Sequence, residues 1–257
     1  MGTRVLSLIH EDGRTQLRAA VPLSWTLQSL SSAADLTAAL KSFGVGRTVV
    51  LDPAIVQVDA LERILSAAER SGAGVLLYSS LDSRSVERVL DVVTRLPAEV
   101  LFYGVDDERV ILARLLTQLP FSSVPALVLR RLAPSLKHLP PPLRIPAVGL
   151  FGWAASGSLN DVQEHLEVSS SSVRRAVHGA SLESLARLRD CARLARVCER
   201  MLTTAETLTM IADREGFESL RTLEDQFARI IAIPPSQARA KLSADEMANR
   251  LAAGSSR

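Results

Sequence analysis

The residue types most able to do chemistry fall into two groups at opposite ends of the chain. Glu11 and Asp12 follow one short apolar run, Asp52 follows another, and Ser79 and Ser80 follow a third. Carboxylates gathered from such positions can hold a divalent metal through oxygen ligands, and a central Asp can accept a phosphoryl group. In the last third, Ser170, Ser171, Ser172, Arg174 and Arg175 stand together, with His178 close behind and no acid between Ser169 and Ala180. Hydroxyls and guanidinium groups donate to phosphate oxygens and to the acceptor edges of bases. Ser219, Leu220, Arg221 and Thr222 form a second such group, but Glu218, Glu224 and Asp225 surround it. Those carboxylates repel a polyanion unless they accept from cytosine amino groups. His10, His138, His165 and His178 show no metal-ligand spacing, and no nucleophile sits beside a base, so an enzyme is not expected. No organic cofactor is called for; magnesium on Glu11, Asp12 and Asp52 is the one ion these residues suggest.

The elements that must position the first group are short apolar runs at residues 5–9, 25–30, 48–51, 74–78 and 100–103, separated by amphipathic stretches of which 59–70, 83–96 and 107–119 are the longest. Near-continuous apolar strands alternating with helices predict an α/β domain over residues 1–119, a flavodoxin-like doubly wound parallel sheet, and function in such sheets gathers at the carboxyl ends of the strands. Asp59 and Glu62 fit a capping box, and Gly72 and Gly74 supply the turn that ends that helix. Gly44 and Gly46 precede a strand rather than opening a helix, so they read as a plain turn and not as a phosphate loop. Residues 107–119 carry Val110, Ile111, Leu112, Leu115 and Leu116, more apolar surface than one packing face needs, which points to a homodimer contact in this domain.

Residues 120–146 hold seven prolines together with Arg130, Arg131, Lys137 and Arg144 and no acid, and are expected to form a semi-rigid basic linker. Its charge can contact phosphate or simply remain solvated. Residues 147–257 show helical periodicity with no strand signal, an all-α domain. Ser158 and Asp161 suit a helix start, Leu159, Val162 and Leu166 an apolar face, and Ser169 the cap of a second short helix carrying Val173 and Val177. Two short helices joined by a tight turn make a helix-turn-helix, whose second helix fits the major groove. A long helix over about 182–202 follows, then a second short pair, 208–215 and 220–231, joined at Gly216–Phe217. Cys191 and Cys198 lie on one face of the long helix with Leu185, Leu188, Ala195 and Leu202, which favours a core role over a redox or metal one.

In its order of acidic pair, central Asp and following Ser, the first 119 residues resemble a response-regulator receiver domain, in which the acidic pair binds magnesium and the Asp is phosphorylated. The resemblance departs at the fifth strand, where no Lys follows Tyr103, and at Pro53, directly after Asp52. It therefore implies a degenerate receiver. The stretch RLARVCERMLTTAETLTMIADREGFESLRTLEDQFARIIAIPPSQAR, from Arg193 to Arg239, is similar to the second half of the AraC/XylS-type DNA-binding domain in Arg193, Ile211–Ala212, Gly216–Phe217, Phe227 and Pro234–Pro235. By the same pattern Ser158 to Val177 is similar to that family's first helix-turn-helix, although Glu167 stands where the family has Gly and Val177 where it has Phe. The resemblance implies double-stranded DNA as partner and a transcription regulator as function. The alternative is a protein-interaction adaptor that has lost both chemistries.

The 47% hydrophobic and 23% charged composition of the 257 residues allows two ordinary globular domains. Formal net charge is only +2, and acids and bases are equal in number beyond residue 150, so a positive field must come from placement rather than totals. No apolar run reaches the roughly 18 residues of a membrane span. Two cysteines suit a reducing compartment, and the expected location is cytoplasmic.

Overall fold

Runs rich in Val and Leu form strands wherever both of their faces are covered. The computed structural model describes residues 3–42, 47–119, 122–152 and 170–256. Its sheet consists of β1 (Arg4–Leu8), β2 (Thr26–Ser29), β3 (Arg47–Leu51), β4 (Gly74–Ser79) and β5 (Glu99–Phe102), all parallel and in the order β2-β1-β3-β4-β5. Every residue of β3, β4 and β5 is buried, whereas β2, at an edge, is largely exposed. The interleaved helices are α1 (Glu11–Ala20), α2 (Ala33–Lys41), α3 (Val58–Ser71), α4 (Ser83–Arg95) and α5 (Glu108–Gln118). α1 packs with α5, and α2 with α3. Val5, Val50, Leu76, Tyr78 and Leu101 from the sheet share one core with Leu17 of α1 and Leu112, Leu115 and Leu116 of α5.

Several local expectations need correction. α3 begins at Val58 after Gln57, which makes no side-chain cap, so Asp59 and Glu62 form no capping box. Asp59 lies instead inside the first turn, where the helix dipole favours its charge, and Glu62 pairs with Arg95 of α4 at 3.2 Å. Gly72 alone ends the helix, in a left-handed conformation at φ 62°, and Gly74 is already strand. The apolar surplus expected on α5 is not at the surface. Leu112, Leu115 and Leu116 face the core, Ile111 is partly buried against it, and of that set Val110 is the exposed one at 61%. This removes the reason for placing a homodimer contact there. Gly44, Val45 and Gly46 lie outside the described residues.

The chain divides into two units, Met1–Ser122 with Gly152–Gly157 and Ser123–Phe151 with Ser158–Arg257. From Ser123 onward the segment expected as a linker therefore belongs to the second unit, and it is helical: α6 (Val124–Lys137) and α7 (Pro141–Gly149). Pro125 and Pro141 stand in first turns, where the missing N–H had no helical partner to lose. Pro134 and Pro146 lie inside their helices and each forgo a bond, which burial offsets: Val124, Val128, Leu129, Leu132 and Leu136 of α6 are at most 1% exposed.

The rest of the second unit comprises α8 (Ser170–Gly179), α9 (Leu185–Thr203), α10 (Leu208–Arg214), α11 (Leu220–Ile231), α12 (Pro235–Lys241) and α13 (Ala244–Ala253). α6, α9 and α13 pack mutually. Arg131 of α6 reaches α13 through Asp245, at 2.6 Å, and through Asn249. Cys191 and Cys198 are buried in α9 with Leu185, Leu188 and Ala195, and burial pushes the Cys191 thiol up to about 12. Leu202, expected on that face, is instead 39% exposed. No helix among the described residues is long and apolar enough to cross a membrane.

Candidate functional site

The basic group on α8 is held outward by the apolar side of the same helix. Val173 and Val177, one turn apart, are buried, and the intervening spacing turns Arg174, Arg175 and His178 to solvent. Ser170 and Ser171 are also exposed, and Ser172 is half-buried. No acid occurs in α8, and neither arginine forms an ion pair among the described residues. Ser158, Leu159, Asp161, Val162, Leu166, Glu167 and Ser169, which were to supply the preceding helix, turn and cap, lie outside the described residues.

The second short pair is complete. α10 closes on Gly216 at φ 70°, and α11 starts from Ser219, whose Oγ accepts from the Thr222 amide at 3.1 Å. Ser219 Oγ and Thr222 Oγ1 also lie 3.0 Å apart, so both hydroxyls serve the cap. Leu220 is half-buried. Arg221 is 90% exposed and faces Asp225 at 3.9 Å, one turn along α11. Such an exposed pair is worth little in stability, but it partly cancels the one cation at the start of the helix. Glu218 and Glu224 are exposed beside it. Leu223 and Phe227 are core.

An arginine cluster on α9 escaped the reading of the sequence. Arg193 lies mid-helix; its Nε donates to the carbonyl of Glu215 at 2.6 Å, and its guanidinium stacks 3.7 Å from the centre of the Phe217 ring. The carboxylate of Glu215 accepts from Arg196 Nε at 2.9 Å and Arg200 Nε at 2.7 Å. Glu206 joins Arg200, at 3.4 Å, to Arg214, at 3.2 Å. The signal was present: Arg193, Arg196 and Arg200 recur at the spacing of one helical face, four residues before Arg193 stands Arg189, and no acid shares that stripe. These bonds hold the α10–α11 turn against α9.

In the first unit, Asp52 is 3% exposed at the carboxyl end of β3. It accepts from Ser79 Oγ at 2.6 Å, the Ala54 amide at 3.0 Å and the Tyr103 hydroxyl at 3.2 Å. Tyr103 directly follows β5, and its own ionisation is pushed upward by burial and then by the Asp52 charge. Its ring meets Tyr78 edge-on with centres 4.4 Å apart, and Tyr78 donates to Glu108. Gly13 makes room for both rings: a Cβ there would lie 2.7 Å from Tyr78 and 2.8 Å from Tyr103. Glu11 and Asp12 do not join Asp52. They sit in the first turn of α1, 86% and 78% exposed, beside Arg14 at 3.9 Å and His10 at 2.9 Å. The helix begins directly at Glu11, which carries both side chains outward and favours them there through its dipole. Among the described residues no three His, Cys, Asp or Glu could hold a metal ion together. Ser80 bonds Asp82, the cap of α4, and takes no part at Asp52.

No family model matches the chain, and no curated protein or solved structure does either.

Proposed function

We propose that the chain is a DNA-binding transcription regulator whose second unit reads duplex DNA through α8. The observation that carries this reading is the outward pair Arg174 and Arg175, on a helix with no acid and with its other side anchored by Val173 and Val177. Guanidinium groups in that setting suit phosphate contact and bidentate recognition of guanine. The α10–α11 pair, with its glycine turn and capped second helix, supports a duplicated AraC-type helix-turn-helix arrangement. The strand order 2-1-3-4-5 supports a flavodoxin-like, receiver-related first unit. Asp52 there is saturated by Ser79, Ala54 and Tyr103, which supports a role in signal input without phosphoryl transfer.

A second reading, a protein-interaction adaptor, is favoured by one observation: Arg221 is paired with Asp225, and Glu218 and Glu224 stand exposed beside it. Titration of the full chain with random-sequence duplex DNA at several salt concentrations separates the two. DNA binding gives a steep negative dependence of log affinity on log salt, and Arg174→Ala or Arg175→Ala lowers that slope by about one. Arg221→Ala has the smaller effect. A flat salt response of the wild-type chain overturns the DNA reading and leaves the adaptor.

A further inference from the structure

The two helices that would read DNA end at corners of the same unusual kind. Ser181, just beyond α8, and Ala232, just beyond α11, both occupy the left-handed region, at φ 58° and φ 66°, without being glycine. Such residues persist only where their surroundings over-determine the backbone. Beyond the closing bonds of each helix itself, from the Leu182 amide to the Val177 carbonyl and from the Ala232 amide to the Ala228 carbonyl, the contacts described at both corners come from one element. Next to Ser181, Leu182 forms an antiparallel bridge with Ser256, and the Glu183 amide donates to the carbonyl of Ser255 at 3.1 Å. Next to Ala232, the carbonyl of Ile231 accepts from Arg250 Nη1 at 2.7 Å. Arg250 belongs to α13, and Ser255 and Ser256 follow directly from it.

The same segment is fastened to α9 between the two corners. Arg187 Nε donates to the carbonyl of Gly254 at 2.8 Å, and Cys191 Sγ to that of Leu251 at 3.4 Å. Gly254 passes so near α11 that a Cβ there would lie 3.1 Å from Ile230 Cγ2 and 3.3 Å from the Arg250 carbonyl. Ser255 is fully buried, and Met247, Ala248 and Leu251 anchor α13 in the core. α9 joins α8 to the α10–α11 pair through the chain, and its arginines already clamp the α10–α11 turn, but the turn between α8 and α9 leaves α8 free to swing relative to that pair. A second connection from α13 to both far corners removes that freedom.

We infer that α13 and the segment Gly254–Ser256 form a brace that sets the distance and angle between α8 and α11. Resting on the DNA-binding reading above, this makes the brace the determinant of the spacing between the two DNA segments the unit accepts. Two linked reading heads gain affinity only when both engage at once, so a rigid link punishes wrong spacing and a loose one tolerates it. Arg187 and Arg250 are positioning residues in this scheme, with no DNA contact of their own.

The test uses the full chain and duplexes enriched by the wild-type chain from a random-sequence pool, each remade with one base pair inserted between the two protected segments. The wild type loses about tenfold or more on insertion, whereas Arg250→Ala and Arg187→Ala lose less than about threefold and bind the parent duplex nearly as well. Arg250→Lys, which can still donate to the Ile231 carbonyl, keeps the wild-type penalty. Equal penalties in wild type and both alanine variants overturn the brace, as does a loss on the parent duplex that insertion does not alter. If the wild type enriches no duplex, the DNA reading falls, and amide exchange on the free chain then decides about the brace. Arg250→Ala speeds exchange at both 180–184 and 230–233 if the brace couples the corners, and a change confined to 230–233 overturns it.

Discussion

Excising the helical unit at residue 147, where the proline-rich stretch ends, removes α6 and all but the last three residues of α7; excising it at residue 122 keeps both. In α6 the side chains of Val124, Val128, Leu129, Leu132 and Leu136 are at most 1% exposed, packed toward α9 and α13. Burial of a large aliphatic side chain contributes about 1.5–3 kcal/mol, so α6 supplies on the order of 10 kcal/mol, an upper figure because unfolded chains already bury some surface. A whole domain has a net stability of only about 5–15 kcal/mol. Polar losses add to this. Glu199 of α9 loses the Val124 amide at 2.8 Å, and Asp245 loses Arg131. The fragment 122–257 is therefore expected to unfold in urea as one cooperative transition by circular dichroism. The fragment 147–257 is expected to have reduced helicity and no cooperative transition. A cooperative transition of the shorter fragment at the same midpoint would refute the reasoning, because α6 would then be an accessory layer rather than core.

Two further expectations concern the first unit. Incubation with magnesium and a small-molecule phosphodonor leaves the intact mass unchanged, because three donors already occupy Asp52 and no lysine follows β5; a stable adduct abolished by Asp52→Asn would overturn this. Tyr78 and Tyr103 are both raised above the ordinary tyrosine value, first by burial and then by the carboxylates they meet, Glu108 and Asp52. A raised folded value makes the neutral form the stabilising one, so that contribution is complete below the unfolded value, ~10, and is lost as pH rises beyond it. The urea midpoint of the first unit is expected to fall from about pH 8 to about pH 11, and to fall less in Tyr103→Phe; equal falls would show that the tyrosines are not responsible.

The centre of the sheet was legible because β3, β4 and β5 are near-continuous apolar runs, the composition of strands covered on both faces, whereas the edge strand β2, Thr26–Ser29, is largely polar and exposed. The same logic failed between residues 120 and 146, where proline density outweighed the apolar recurrence of Val124, Val128, Leu129, Leu132 and Leu136. Proline excludes a helix through the bond it cannot donate: in a first turn, as at Pro125 and Pro141, no such bond exists, and inside a helix, as at Pro134 and Pro146, burial of the apolar face offsets the one that is lost. On α5 the error ran the other way, since counting Ile111, Leu112, Leu115 and Leu116 as excess ignored that one helix can face both the sheet and α1. The candidate site shows a deeper limit. The exposure of Arg174 and Arg175 followed from the spacing of Val173 and Val177, a local property. The partners of Asp52, by contrast, are Ser79 and Tyr103, which only strand order brings beside it, and no spacing along the chain announces a tyrosine in the place of a lysine. The brace is less legible still, because it depends on backbone carbonyls at 231 and 254 that any residue could present. What sequence does offer there is the donors: Arg187 and Arg250 are charged residues on the flanks of otherwise apolar faces, a position where a long side chain finds a helix end more readily than it finds water.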